Sequence, residues 1–390
     1  MKLSRCAGQV LPSDIRKIFN KAHEYETVIS FSLGEPDFST PPEVAEAGCA
    51  AIRDGHTRYT LNAGILPLRQ AVAQKLAAEH GVAYDPATEV TVTAGAMGAL
   101  YLGLKAILDP GDEVIIPDPA WTNYVQQVIM SGGVPVRVDA LESDGFRPTL
   151  DGLRAAITPR TRAIILNSPS NPTGALLDAA TLAGVAALAE QHDLYVIFDE
   201  VYKHIRYTDG PFLGLCGLPG MRERCIVIDS LSKTYAMTGW RVGYAAGPAP
   251  VIGSITKFQE NVYSAAATPS QYAALKALTG SQDAVHRMVA QYAARRDYVC
   301  KRVAEIPGLS CLPPEGSFYA FVNIGGSGLT SEAFAYDLLD KKQVVVVPGT
   351  AFGARGEGFV RLSFATSMAQ LEQGLDRIRD YMAAAQGAKA

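Results

Sequence analysis

Between residues 89 and 228, six short apolar runs alternate with stretches of helical spacing, and this alternation limits the fold more than any other feature of the chain. The runs fall at 89–93, 113–116, 134–138, 163–166, 195–198 and 226–228, and are rich in Val and Ile. Ala- and Leu-rich stretches of helical spacing, such as 96–107 and 178–192, lie between several of them. A run that is apolar at nearly every position suits a strand covered on both faces, and strands joined through helices pair in parallel. The expectation is an α/β fold around a mostly parallel sheet. Such sheets take ligands at the carboxyl ends of their strands, which is where the polar motifs of this chain fall.

From about residue 270 the pattern changes. Helical stretches at 270–280 and 283–305 lead to strand-like runs at 316–322, 344–347 and 359–364, with helices at 331–341 and 368–384. This reads as a smaller α+β domain, with the 283–305 helix long enough to bridge to the larger one. Hydrophobic residues at 48% and charged residues at 19% exclude a disordered chain. A formal charge of −4 argues against nucleic acid as a partner. No run of about 18 apolar residues is present to span a membrane, and the first residues lack the apolar core of a signal peptide. The six cysteines are scattered, without a CxxC or a grouping with His, so neither a disulfide framework nor a metal site is expected. A cytoplasmic location is the expectation that follows.

The most informative segment is Asp229-Ser230-Leu231-Ser232-Lys233-Thr234-Tyr235-Ala236-Met237-Thr238-Gly239-Trp240-Arg241-Val242-Gly243. It follows an apolar strand directly. A lysine there is costly to bury as an ammonium. It makes sense if desolvation lowers its pKa and frees the amine to form a Schiff base with an aldehyde. Ser230, Ser232 and Arg241 are then placed to grip an anion such as a phosphate. On composition alone the segment also reads as a solvated loop.

This segment resembles the lysine signature of the class I and II aminotransferases, the fold-type I pyridoxal-phosphate enzymes. Five further segments stand in the family order: Leu33-Gly34-Glu35-Pro36-Asp37-Phe38, Tyr59-Thr60-Leu61-Asn62-Ala63-Gly64, Asn171-Pro172-Thr173-Gly174, Asp199-Glu200-Val201-Tyr202 and Phe359-Val360-Arg361-Leu362-Ser363. The resemblance implies a large domain at 48–285 with a mostly parallel seven-stranded sheet. It implies a small α+β domain at 286–390, joined by an N-terminal segment at 1–47. It also implies pyridoxal 5'-phosphate as cofactor, an L-amino acid and a 2-oxo acid as substrates with 2-oxoglutarate as acceptor, and a homodimer with shared active sites.

The resemblance assigns roles residue by residue. Lys233 carries the cofactor and moves the α-proton. Asp199, at the end of a strand, pairs with the ring nitrogen, and Asn171 and Tyr202 bond the cofactor's phenolic oxygen. Trp121 stacks on the ring. Gly95 and Ala96, where a strand turns into a helix, offer backbone N–H groups to the phosphate beside Ser230, Ser232 and Arg241. Gly34, Asn171 and Arg361 bind the substrate, and Tyr59 reaches the phosphate of the neighbouring subunit. Apart from the motifs, Asn171 also suits a plain turn, Tyr202 and Trp121 suit core packing, and Arg361, inside an apolar run, suits an internal salt bridge. A carbon–sulfur β-lyase on the same fold is the alternative activity, and a non-catalytic regulator is a more distant one. Met97 stands in the glycine–helix turn where aspartate-specific relatives often carry a lysine, which weakens the expectation of aspartate as donor.

Overall fold

The computed structural model describes residues 2–12 and 14–387, with side chains to 384. Met1, Ser13 and residues 388–390, which fall in the expected 1–47 and 286–390 domains, lie outside the described residues. The large sheet has seven strands: β1 (Val90–Thr93), β2 (Glu113–Asp118), β3 (Val134–Asp139), β4 (Thr161–Asn167), β5 (Tyr195–Asp199), β6 (Cys225–Ser230) and β7 (Gly243–Ala246). Their order is β1-β7-β6-β5-β4-β2-β3. Neighbours from β6 to β3 pair in parallel, and β7 alone runs against both its neighbours. The six apolar runs account for β1 to β6. The seventh strand was not among them, because Gly-Tyr-Ala-Ala is short and poor in branched residues.

Strand alternation explains the near-continuous apolar runs. Val196, Phe198 and Val227 belong to one core, while Ile197, Ile226 and Ile228 belong to another on the opposite face. Both faces are thus covered, as a parallel sheet requires. Among the helices that cover it are α1 (Leu66–His80), on the first face, and α2 (Gly95–Ile107), on the second.

The C-terminal part holds a four-stranded antiparallel sheet in the order Val347–Pro348, Phe359–Ser363, Tyr319–Asn323, Ser310–Cys311. The run at 316–322 becomes a strand only from Tyr319, because Ser317 adopts a left-handed backbone (φ 59). The run at 344–347 divides. Val344–Val345 pairs in parallel with Ile29–Ser30, and Val347–Pro348 joins the four-stranded sheet. The N-terminal chain is thereby tied to the C-terminal part. Helix α3 (Asp283–Ala304) contributes Val285 to one core and Met288, Tyr292, Val299 and Val303 to the other. It crosses between them, as its length suggests.

Candidate active site

Between the carboxyl edge of the large sheet and the two inner strands of the smaller one lies a cavity of about 430 Å³. Lys233, Asp199, Tyr202, Ala96, Trp121, Asn171, Ser230, Ser232, Arg241, Gly34 and Arg361 all line it. β5 ends at Asp199 and β6 at Ser230, so both reach this edge directly. Arg241 arrives there because β7 is antiparallel and begins at Gly243, level with Ser230 and Thr93.

Asp199 is buried, and its Oδ2 accepts a hydrogen bond from Tyr124 Oη at 2.7 Å, while its Oδ1 accepts from the Val201 N–H at 3.2 Å. Among the described residues it has no ion partner. Burial pushes its carboxyl up to about 6, against these two hydrogen bonds, with Asp229 and Glu200 adding to the rise. A carboxylate in this position seeks a cation that the chain does not supply.

Lys233 sits in a four-residue helix, Leu231–Thr234, directly after β6, and its Nζ donates to the Gly34 carbonyl. Burial pulls its amine down to about 8. Glu35 opposes that fall, and Arg361 and Arg241 deepen it. An amine with this pKa is available as a nucleophile and base near neutral pH.

Arg361 occupies the middle of its sheet, paired in register with Phe321 and Val347, and is 2% exposed. Its Nη1 donates to Asn171 Oδ1 at 3.0 Å and its Nη2 to the Ser32 carbonyl at 2.7 Å. Its plane lies over the Tyr319 ring, 4.3 Å from the centroid, and 4.9 Å from that of Phe352. Its Nε has no hydrogen-bond partner. The internal salt bridge that an arginine in an apolar strand would suggest is absent among the described residues. A buried guanidinium with spare donors and no anion is poised for a carboxylate from outside.

The anion-seeking end is built from backbone as well as side chains. Gly95 opens α2 in a left-handed conformation (φ +72), and a Cβ there would stand 2.7 Å from Arg241 Nη2. Glycine therefore lets the guanidinium lie against the start of the helix, although Gly95 itself does not line the cavity. No side chain caps α2, so its first N–H groups stay available to an anion. Ser230 Oγ accepts from the Ser232 N–H at 3.4 Å. Tyr202 Oη and Tyr319 Oη are 3.0 Å apart, and burial first, then Tyr319, holds the Tyr202 hydroxyl well above the usual tyrosine range. Trp121 meets Tyr124 edge-on, with centroids 5.3 Å apart.

Tyr59 stands far from the rest. It is 89% exposed and lies outside the cavity of its own chain. Several lining residues were not foreseen. Tyr124 follows Trp121 by three positions, one helical turn, and this spacing is the signal that would have found it. Asn167 ends β4 as a polar residue after an apolar run, and its Nδ2 donates to the Asp199 carbonyl at 3.0 Å. Ile15 comes from a helix, Asp14–Ala22, in the N-terminal segment that had no assigned structure.

Comparison with known proteins identifies the family. The family model described as aminotransferase class I and II matches residues 26–378. An aspartate aminotransferase of Pyrococcus abyssi is 43% identical over 380 residues, covering 97% of each chain. An aromatic-amino-acid aminotransferase of Thermococcus litoralis is 42% identical over 380 residues, again 97% of each. The solved aspartate aminotransferase of Thermus thermophilus with maleate superposes with a TM-score of 0.92 at 38% identity, over 97% of this chain and 99% of that one. Matched by the family model over most of its length and by these relatives over nearly all of it, the chain belongs to the class I and II aminotransferase family and is an aminotransferase.

Proposed function

We propose that this aminotransferase holds pyridoxal 5'-phosphate in the cavity, anchored on Lys233, and moves the amino group of an L-amino acid to a 2-oxo acid, with 2-oxoglutarate as acceptor. The observation that carries the reading is Asp199, a buried carboxylate without a cation in the same cavity as an amine of lowered pKa. The donor set fits the cofactor. Asp199 matches a protonated ring nitrogen, Asn171 Nδ2 and Tyr202 Oη match the phenolic oxygen, and Trp121 offers a flat face to the ring. Ser230, Ser232, Arg241 and the N–H groups of Gly95 and Ala96 match a phosphate. When bound, pyridoxal phosphate supplies an aldehyde that captures the amine and a ring that accepts the electrons released at Cα.

The chain's own residues do the rest. Arg361 binds the substrate α-carboxylate through its spare donors, and Gly34, where a Cβ would stand 2.9 Å from Tyr319 Oη, lets its loop backbone approach that group. Lys233 takes the proton from the substrate Cα and returns it on the other side of the transfer, acting as base and then acid. Ile15, Leu33 and Met97 present apolar surface to the substrate side chain, while the Glu35 carboxylate repels a second carboxylate. Neutral and aromatic donors are therefore favoured over aspartate. The reading includes the domain division at 1–47, 48–285 and 286–390. It also includes a cytoplasmic location, supported by six free thiols, and a homodimer in which an exposed Tyr59 serves the partner's site.

Borohydride reduction of the holoenzyme followed by peptide mapping is expected to leave the cofactor attached to Lys233, and a label on another lysine sinks the assignment. For the shared site, mixing inactive Tyr59→Phe and Lys233→Ala chains is expected to restore activity, since one site in each heterodimer regains both residues. Heterodimers that form without recovery, with Tyr59→Phe clearly impaired alone, place Tyr59 outside the partner's site.

A further inference from the structure

Directly across the sheet from the cavity lies a buried ionic cluster that the reaction does not use. Its centre is Lys203, 2% exposed, in the loop after β5. Its Nζ is 2.9 Å from Glu79, 3.1 Å from Glu200 and 3.1 Å from Asp229. Helix α1 supplies Glu79, with Lys75 beside it at 2.8 Å, and His80, whose Nε2 is 3.0 Å from Glu200. His204 stands 3.2 Å from Glu79. Tyr244, on β7, donates to Asp229 at 2.8 Å.

Strand alternation gives this cluster its reach. Glu200 follows Asp199, and Asp229 precedes Ser230. Successive residues of a strand face opposite sides. Asp199 and Ser230 turn to the cavity, and Glu200 and Asp229 turn to Lys203. The ladder between β5 and β6 closes with the register pair Asp199 and Ile228, and the Glu200 N–H to Ile228 carbonyl bond at 2.8 Å is the last backbone tie recorded between the strand ends. Beyond that point, among the described residues, the strand ends are tied through the Lys203 ammonium, paired with Glu200 and Asp229.

We propose that Lys203 is a positioning residue: by binding Glu200 and Asp229 on the far face, it fixes the separation of Asp199 and Ser230, the acid and the anion-cup serine of the cavity. This rests on the cofactor reading above, because the two ends of one rigid molecule must meet both groups at once. A displacement of either strand end by a fraction of an ångström misaligns one of them. The electrostatics agree. Burial alone would raise the Glu200 carboxyl, but Lys203 and His80 hold it below its ordinary range. Burial would likewise lower the Lys203 amine, but Tyr244, Asp229, Glu200 and Glu79 hold it well above its ordinary range. The cluster is therefore charged and mutually committed.

The test compares binding of pyridoxal phosphate and pyridoxal to the cofactor-free full chain. Lys203→Met is expected to weaken pyridoxal phosphate about tenfold or more, and pyridoxal far less, as is common when a supporting residue behind a site is lost. Lys203→Arg, which keeps the charge, is expected to recover most of the difference. The Ser230 N–H donates to Asp229 Oδ1 at 2.7 Å, and Asp229→Asn, which keeps an acceptor for it, shifts the same ratio in the same direction by less and serves if Lys203→Met does not fold. Variants that melt at a lower temperature but keep the natural affinity ratio overturn the proposal and leave Lys203 a stabilising residue only. A natural chain that does not prefer pyridoxal phosphate to pyridoxal overturns the cofactor reading itself, which separates the two failures.

Discussion

At the ends of β5 and β6, the two faces of the sheet treat buried charge in opposite ways. On the far face, the Lys203 ammonium meets three carboxylates within 3.1 Å. On the cavity face, Asp199, Lys233 and Arg361 have no ion partner among the described residues, although Asp199 and Arg361 are as deeply buried. A charge matched inside the protein helps to hold the fold once the cost of desolvation has been met. A buried charge without a match is a liability that folding alone gives no reason to keep. In the proposed reading, the cavity's charges are answered by groups that come from outside: a ring nitrogen, an aldehyde and a carboxylate.

The contrast is broken or sharpened most strongly by removing one charge from each face. Lys203→Met leaves two buried carboxylates, Glu200 and Asp229, and the half-buried Glu79 without their shared cation, and is expected to destabilise the cofactor-free chain by about 3–5 kcal/mol. Asp199→Asn is expected to do the reverse. The amide oxygen can accept from the Val201 N–H while the NH2 donates to Tyr124 Oη, so both hydrogen bonds are kept and the desolvated charge is gone. The carboxyl is pushed up to about 6 from 3.8. Below about pH 4 it is protonated in both the folded and unfolded chains and costs nothing. Between about 4 and 6 the unfolded chain releases the proton and the folded chain retains it, so the stability of the natural chain falls as pH rises. Above 6 the full cost, about 3 kcal/mol, is in place. The advantage of Asp199→Asn thus grows from pH 4 to 6 and then levels off, while its rate of α-proton removal with cofactor collapses. Urea denaturation of the cofactor-free forms across that range measures both variants. Loss of stability in Asp199→Asn at pH 7, or a difference that stays flat with pH, removes the distinction between the faces.

The two faces also differ in how far the sequence reveals them. Asp199, Ser230 and Arg361 stand out because each is a polar residue at the end of, or inside, an apolar run, where burial needs a reason. Six of the seven large-sheet strands are legible for the same reason, through their branched apolar residues. Lys203 gives no such signal. It follows Tyr202 in a loop, where a lysine ordinarily reads as solvated, and two of its three partners come from residues 79 and 229, which only the folded sheet and α1 bring together. Tyr124 is legible only in part: its spacing from Trp121 points it at the cavity, but its bond to Asp199 spans 75 residues of chain. β7 escaped because its short run of small residues carries little strand propensity.

The smallest expected effect concerns the apolar wall of the cavity. Met97 lines it near the start of α2, and its carbonyl and sulfur accept from Gln127 Nε2 at 3.3 and 3.5 Å, with Asn123 Nδ2 also 3.5 Å from the sulfur. These amides pin the side chain, so the wall has a fixed apolar shape and no cation to meet a second carboxylate. Met97→Lys introduces that cation, and the same amide oxygens can receive part of its hydrogen bonding. Because Glu35 lines the cavity too, it shares the new charge and reduces the benefit. The expected outcome is a rise in kcat/KM for aspartate relative to phenylalanine of about tenfold, or about 1.4 kcal/mol, at the low end for a charge-assisted hydrogen bond. The ratio is read from steady-state rates with the two donors and 2-oxoglutarate. A flat ratio in a variant that still folds and takes up cofactor means that the substrate side chain does not reach Met97. The unmatched charges of the cavity would then serve the reacting end of the substrate alone, with donor selection resting on Ile15, Leu33 and Glu35.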